Sequence, residues 1–111
     1  MAARVEVKED NVNAASEGIE RAIERGLEKI GLLAEGYAKQ KCPVDTGRLR
    51  NSITHLVQSS EKAAYVGTNV EYGPYVELGT KKMKAQPFLR PAVHGHASQY
   101  RGVLESELKQ A

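Results

Sequence analysis

The chain has 111 residues, 41% apolar and 27% charged, with a formal net charge of +2. That length indicates one domain spanning residues 1–111, with an adequate but thin core, since a domain of this size leaves roughly a third of its unfolded-chain surface exposed. The near-neutral charge and the few aromatic residues (one Phe, five Tyr, no Trp) exclude a strong field toward nucleic acid or membrane, and a base-stacking platform.

In chain order, Arg4–Lys8 alternates polar and apolar residues and predicts a short strand. Asn11–Ser16 offers several N-caps. From Ala14 to Lys41 the pattern is helical: Ile19, Ile23, Leu27, Ile30, Ala34 and Tyr37 recur at three- and four-residue spacing and share one face. Glu17, Arg21, Glu24, Arg25 and Glu28 occupy the other. Four glycines (Gly18, Gly26, Gly31 and Gly36) cost about 1 kcal/mol each relative to Ala, so packing must hold this helix. Gly26 and Gly31 would also permit another element to approach closely. Pro43 ends the helix, because a residue before proline is pushed out of the α region.

Asp45 or Thr46 then caps a short helix running through Leu49 and Ile53. Thr54–Ser59 and Lys62–Gly67 predict two strands joined by Ser59–Lys62 as an antiparallel hairpin. His55 and Val57 fall on one face, Thr54, Leu56 and Gln58 on the other. Tyr72–Leu78 predicts a turn or two of helix with Pro74 at its start and Gly79 as its stop. Thr80–Gln86 carries Lys81, Lys82 and Lys84 without periodicity and is expected to be a mobile loop. Pro91 suits the first turn of a closing helix whose stripe is Val93, Ala97, Tyr100, Leu104 and Leu108. The fold class expected is α+β: a small, mostly antiparallel sheet with a β-hairpin, packed against a long N-terminal helix and a C-terminal helix.

Cys42 is the single cysteine. It cannot form an internal disulfide, which suits a reducing compartment such as a cytoplasm. No apolar run approaches the ~20 residues that span a bilayer, so no membrane partner is expected. Asp45-Thr46-Gly47 is the tripeptide of aspartic proteases, in which two such loops share a proton, and a dimer of this chain would supply two. The flanks oppose that reading. Arg48 and Arg50 follow directly, and neighbouring guanidinium groups favour the charged carboxylate rather than a held proton. A capped turn is the simpler reading.

His94-Gly95-His96 lacks a third ligand at a supporting spacing, and His55 reads as a strand residue. No metal site, cofactor or catalytic residue is expected. Lys81, Lys82 and Lys84 suit phosphate or an acidic protein surface, and a DNA-binding module using this loop is a further alternative. Phe88 and Leu89, held between Pro87 and Pro91, either dock the closing helix to the core or anchor a neighbouring subunit.

Taken in order, Ala38-Lys39, Pro43–Ile53, Val66-Gly67-Thr68-Asn69, Tyr72, Tyr75–Thr80, Met83 and Pro87–Ala92 resemble the small minor tail proteins of long-tailed bacteriophages. These gp-ten-like proteins are also described as tail-completion or head–tail joining proteins. The resemblance covers roughly two-thirds of the chain. It implies a structural, non-enzymatic virion protein, assembled in the bacterial host cytoplasm and located at the head-proximal end of the tail. It further implies a ring, expected to be a hexamer, that meets tail-tube or terminator proteins on one side and the head connector on the other. DNA would pass through the channel without sequence-specific binding. A tail terminator or a head-closure ring protein is the nearest alternative within the same virion. On this reading Lys81, Lys82, Met83, Lys84, Phe88, Leu89 and Arg90 are the assembly residues. Pro43, Asp45, Thr46, Gly47, Gly79 and Pro91 shape the turns and caps.

Overall fold

In a computed structural model, residues 2–6, 17–44 and 47–110 are described. A long helix α1 (Glu17–Lys41) lies across one face of a three-stranded antiparallel sheet. The strands are β1 (Ala2–Glu6), β2 (Thr54–Gln58) and β3 (Ala63–Gly67), in the order β1-β3-β2. The predicted α+β class is thus observed. The first strand sits two residues earlier than Arg4–Lys8 and pairs with β3, Val5 opposite Ala64 and Arg4 opposite Tyr65. Residues 7–16, with the expected N-caps and the start of the predicted helix, lie outside the described residues.

Pairing puts Ala3, Val5, His55, Val57, Ala64 and Val66 on one face. Successive strand residues alternate faces, so Arg4, Leu56 and Tyr65 share the other. The hairpin turn is a short 3-10 segment, Ser59–Glu61, closed by Lys62 at φ 52°. Along α1 the predicted stripe is buried at Ile23, Leu27, Ile30 and Ala34, each at most 3% exposed, and only partly at its two ends, Ile19 and Tyr37, where Ala38 takes the fully buried place beside Tyr37. Gly26 and Gly31 do admit close neighbours. A Cβ on Gly26 would fall 2.9 Å from Leu104 Cδ1, and one on Gly31 2.6 Å from His55 Cδ2.

After α1 the last helical bond, Cys42 N–H to the Ala38 carbonyl, precedes Pro43. Helix α2 (Arg48–Ser52) begins after Gly47, which takes the left-handed conformation at φ 85°. The N-cap position therefore falls to Gly47, and Asp45 and Thr46 lie outside the described residues. Helix α3 (Gly73–Leu78) has Pro74 in its first turn and stops at Gly79, φ 80°. A Cβ on Gly79 would also meet Ala85 N at 2.8 Å, so conformation and space both require glycine there.

The closing helix is two helices rather than one: α4 (Leu89–His94) and α5 (Ala97–Lys109). At the break the His96 ring stacks parallel on Tyr37, centroids 3.6 Å apart, and the Tyr100 hydroxyl donates to the Ala92 carbonyl. That carbonyl would accept the His96 N–H in a continuous helix. Val93, Tyr100 and Leu104 are buried, whereas Ala97 is exposed, contrary to the periodic reading. Arg25 and Lys29 of α1 both pair with Glu107 of α5 and fasten the two helices at that end. These bonds hold the Glu107 carboxyl below its ordinary pKa, Lys29 contributing most and Arg25 next.

Candidate functional site

The segments singled out in the sequence converge at the C-terminal end of α1. Their connections start from one buried side chain. Glu77 lies on α3 and is 3% exposed. Its Oε1 accepts the backbone N–H of Phe88 (3.0 Å) and of Leu89 (2.8 Å), and its Oε2 accepts that of Arg90 (3.2 Å). The first N–H groups of a helix have no partner within it, and neither Pro87 nor Phe88 has a side chain able to cap. A carboxylate eleven residues upstream does it instead. This bond network joins Tyr72–Thr80 to Pro87–Ala92.

The intervening loop is exposed throughout and carries its own turn. Thr80 and Met83 exchange backbone hydrogen bonds, the Thr80 hydroxyl accepts from the Lys82 and Met83 N–H groups, and Gln86 N–H donates to the Val76 carbonyl at 2.8 Å. Lys81, Lys82 and Lys84 project from a loop whose base is closed by backbone bonds.

A second set of bonds ties α2 to the stretch after β3. The Ser52 hydroxyl donates to the Leu49 carbonyl and meets the hydroxyl of Thr68, which accepts from Val70 N–H. Arg48 grips Glu71 with two nitrogens, at 3.2 and 3.0 Å, and lies over the Tyr72 ring at 5.4 Å. The Glu71 carboxyl is held below its ordinary pKa by its own backbone N–H first and by Arg48 second.

Between these elements runs a groove of about 290 Å³ lined by Pro43, Val44, Gly47, Leu49, Tyr72, Val76, Met83 and Gln86. Every segment of the resemblance after α1, save Val66–Asn69 and Pro87–Ala92, contributes to its wall. Those two are bonded to the wall from behind, through Ser52 and Glu77.

The predicted assembly residues divide here. Lys81, Lys82, Lys84 and Arg90 are exposed, and Met83 is both exposed and part of the groove. Phe88 and Leu89 are 0% and 1% exposed, among the largest fully buried side chains in the core. Of the two expectations for them, docking the closing helix to the core matches this burial. An anchor for a neighbour would have to leave the core first. Pro91 lies within the first turn of α4.

Other candidates resolve simply. His94 is exposed and His96 is taken by the Tyr37 stack. Among the described residues, no group of three or more His, Cys, Asp or Glu side chains is placed to hold a metal ion. The Cys42 thiol is 5% exposed, and burial pushes its pKa up against a weaker pull from Arg50; a raised pKa lowers its reactivity. No helix among the described residues is long and apolar enough to cross a membrane.

Two residues with structural roles were missed from the sequence. Glu77 had one readable sign, an acid on a short helix facing a helix start with no capping residue. His55 had none, because its partners are 27 and 20 residues away. Its Nε2 meets Glu28 Oε1 at 2.6 Å and its Nδ1 meets Glu35 Oε1 at 2.9 Å. Partial burial opposes its charge, but the bonds to Glu28 and then Glu35 outweigh this and raise its pKa above 6.5.

Comparison with known proteins bears on this same region. The model of the HK97-gp10-like family, a bacteriophage tail component, matches residues 8–79, well over half of the chain. No curated protein and no solved structure matches. The matched stretch contains α1, the hairpin, α2 and α3 in full, and thus most of the groove wall. On that match, the chain belongs to the HK97-gp10-like family of bacteriophage tail components.

Proposed function

We propose that this tail component joins the phage tail to the head by assembling into a ring at the head-proximal end of the tail. The observation that carries the reading is the family match across residues 8–79, which takes in Pro43–Ile53 and the stretch from Tyr72 to Gly79, two of the three turn-rich segments. The third, Pro87–Ala92, is bonded to them through Glu77. Their joint product is a shaped, basic end of the molecule.

A cyclic ring uses heterologous contacts, so each subunit must present two different complementary surfaces. The groove end offers one, and the outer face of the sheet, where Leu56 on the edge strand β2 is exposed, is suited to be the other. Lys81, Lys82, Lys84 and Arg90 steer the approach of acidic surfaces on neighbouring virion proteins, where charge sets encounter rate and register more than affinity. DNA passes through the ring without sequence-specific contact. The role calls for no catalysis.

Electron microscopy of particles made without this chain tests the proposal. Full heads beside finished, unattached tails are expected. Overlong tails would assign the chain to the tail terminators instead, and normal infectious particles would overturn both assignments.

A further inference from the structure

Six large apolar side chains are exposed among the described residues, and four of them, Val44, Tyr75, Leu78 and Met83, belong to the groove end. Val44 and Met83 line the groove itself. Tyr75 and Leu78 are the exposed apolar residues of α3, while Val76 of that helix and Tyr72 just before it line the wall. Exposed apolar residues scattered singly need no explanation, but a cluster with a polar rim marks an interaction site.

Basic residues adjoin the lining in sequence: Lys82 and Lys84 flank Met83, Lys81 precedes them, Lys41 stands before Cys42-Pro43, and Arg50 follows Leu49; all five are exposed. The acids nearby are largely occupied. Glu71 is held by Arg48, Glu77 is turned inward onto three backbone N–H groups, and Asp45 lies outside the described residues.

We infer that this groove is the docking site for an acidic segment of another protein, one that inserts an apolar side chain between Val44 and Met83 while its carboxylates meet the lysine loop. The inference rests on the joining role and deepens it by naming the chemistry of the partner. Volume and lining decide against the other occupants. At about 290 Å³ the groove is at the lower limit of the ~300–1,000 Å³ that enclose small molecules, and it suits one or two side chains. Duplex DNA presents phosphates and would use the lysines, but it leaves the apolar wall uncovered. An acidic peptide with an apolar anchor satisfies both parts: the anchor fills the desolvated centre and the charges sit at the solvated edge, as in interfaces generally.

The test uses the full purified chain and fluorescence anisotropy with three labelled probes. These are a short peptide of glutamates interleaved with leucine and phenylalanine, the same peptide with serine at the apolar positions, and a short DNA duplex. The first peptide is expected to bind best, and the serine peptide roughly tenfold more weakly. Val44→Asp and Met83→Asp, both at exposed positions, should weaken the first peptide by about the same factor with the circular dichroism spectrum unchanged. Lys81→Glu with Lys82→Glu and Lys84→Glu should weaken both peptides. Equal binding of the two peptides, DNA binding at least as tight as the first peptide and indifferent to Met83→Asp, or no binding of any probe would each overturn the inference. Because no particle is involved, such a failure leaves the joining role to be judged by microscopy alone.

Discussion

Glu77 is where a single side chain decides most. Three N–H groups, two of them buried and the third partly so, depend on its two oxygens, and an unsatisfied buried polar group costs roughly 1–3 kcal/mol. Glu77→Ala should therefore lower the unfolding free energy by about 3 kcal/mol or more. Glu77→Gln keeps one acceptor oxygen and should lose about half as much. Urea denaturation measures both; a loss near zero for Ala would show that water or backbone rearrangement replaces the cap. His55 makes a different prediction. Its folded pKa lies above 6.5 although burial opposes the charge, because Glu28 and Glu35 hydrogen-bond both ring nitrogens. A raised pKa contributes stability that is fully present below the unfolded value and lost as pH rises through the folded one. Glu35 acts in the opposite sense: burial raises its pKa, but bonds from His55 and Lys39 bring it below 4.5, so its contribution is lost on acidification. The difference in stability between the native chain and His55→Gln should therefore be larger near pH ~5.5 than near pH ~9. An identical difference at both would remove the charged clamp.

At the scale of elements, the glycines of α1 separate into two kinds that composition cannot distinguish. Gly31 lies under the His55 ring, whereas a Cβ on Gly36 would have nothing within 4 Å. Gly36→Ala should stabilise the protein by about 1 kcal/mol through helix propensity. Gly31→Ala should destabilise it by roughly 1–3 kcal/mol, since the methyl must displace a ring bonded on both sides. Thermal denaturation of the two variants checks the pair, and equal shifts would contradict the packing described. What was legible follows the same division. Local signals were clear: the stripe of α1, its stop at Pro43, the hairpin, and the glycine after Leu78 all have physical causes within a few residues. The break between α4 and α5 was not, because the ring that stacks on His96 there belongs to Tyr37, 59 residues away in sequence. The burial of Phe88 was open for the same reason. Prolines on either side restrain the segment, but only the packed core shows that the Phe88 side chain turns inward.

For the whole molecule, long-range pairing was the least readable feature. That β1 adds to the far side of β3 depends on contacts across some sixty residues, and a five-residue strand carries no mark of its partner. The groove was legible only in pieces. Each segment advertised its turn chemistry, but their convergence on one basic, apolar end required the fold. That convergence supports the account of the protein as a component that acts by fitting against other virion proteins. If the lysine loop steers this fit, reversing Lys81, Lys82 and Lys84 to glutamate should leave the chain folded while slowing head–tail joining, with the effect fading as salt screens the charges. Joining rates measured across a salt series, with circular dichroism as the control, check this, and an unchanged rate at low salt would release the loop from the role. The most direct measurement is gold labelling of a tag on this chain in intact particles, viewed by electron microscopy. The account predicts label at the junction of head and tail; label at the distal tip, along the tube, or missing from the particle would contradict it.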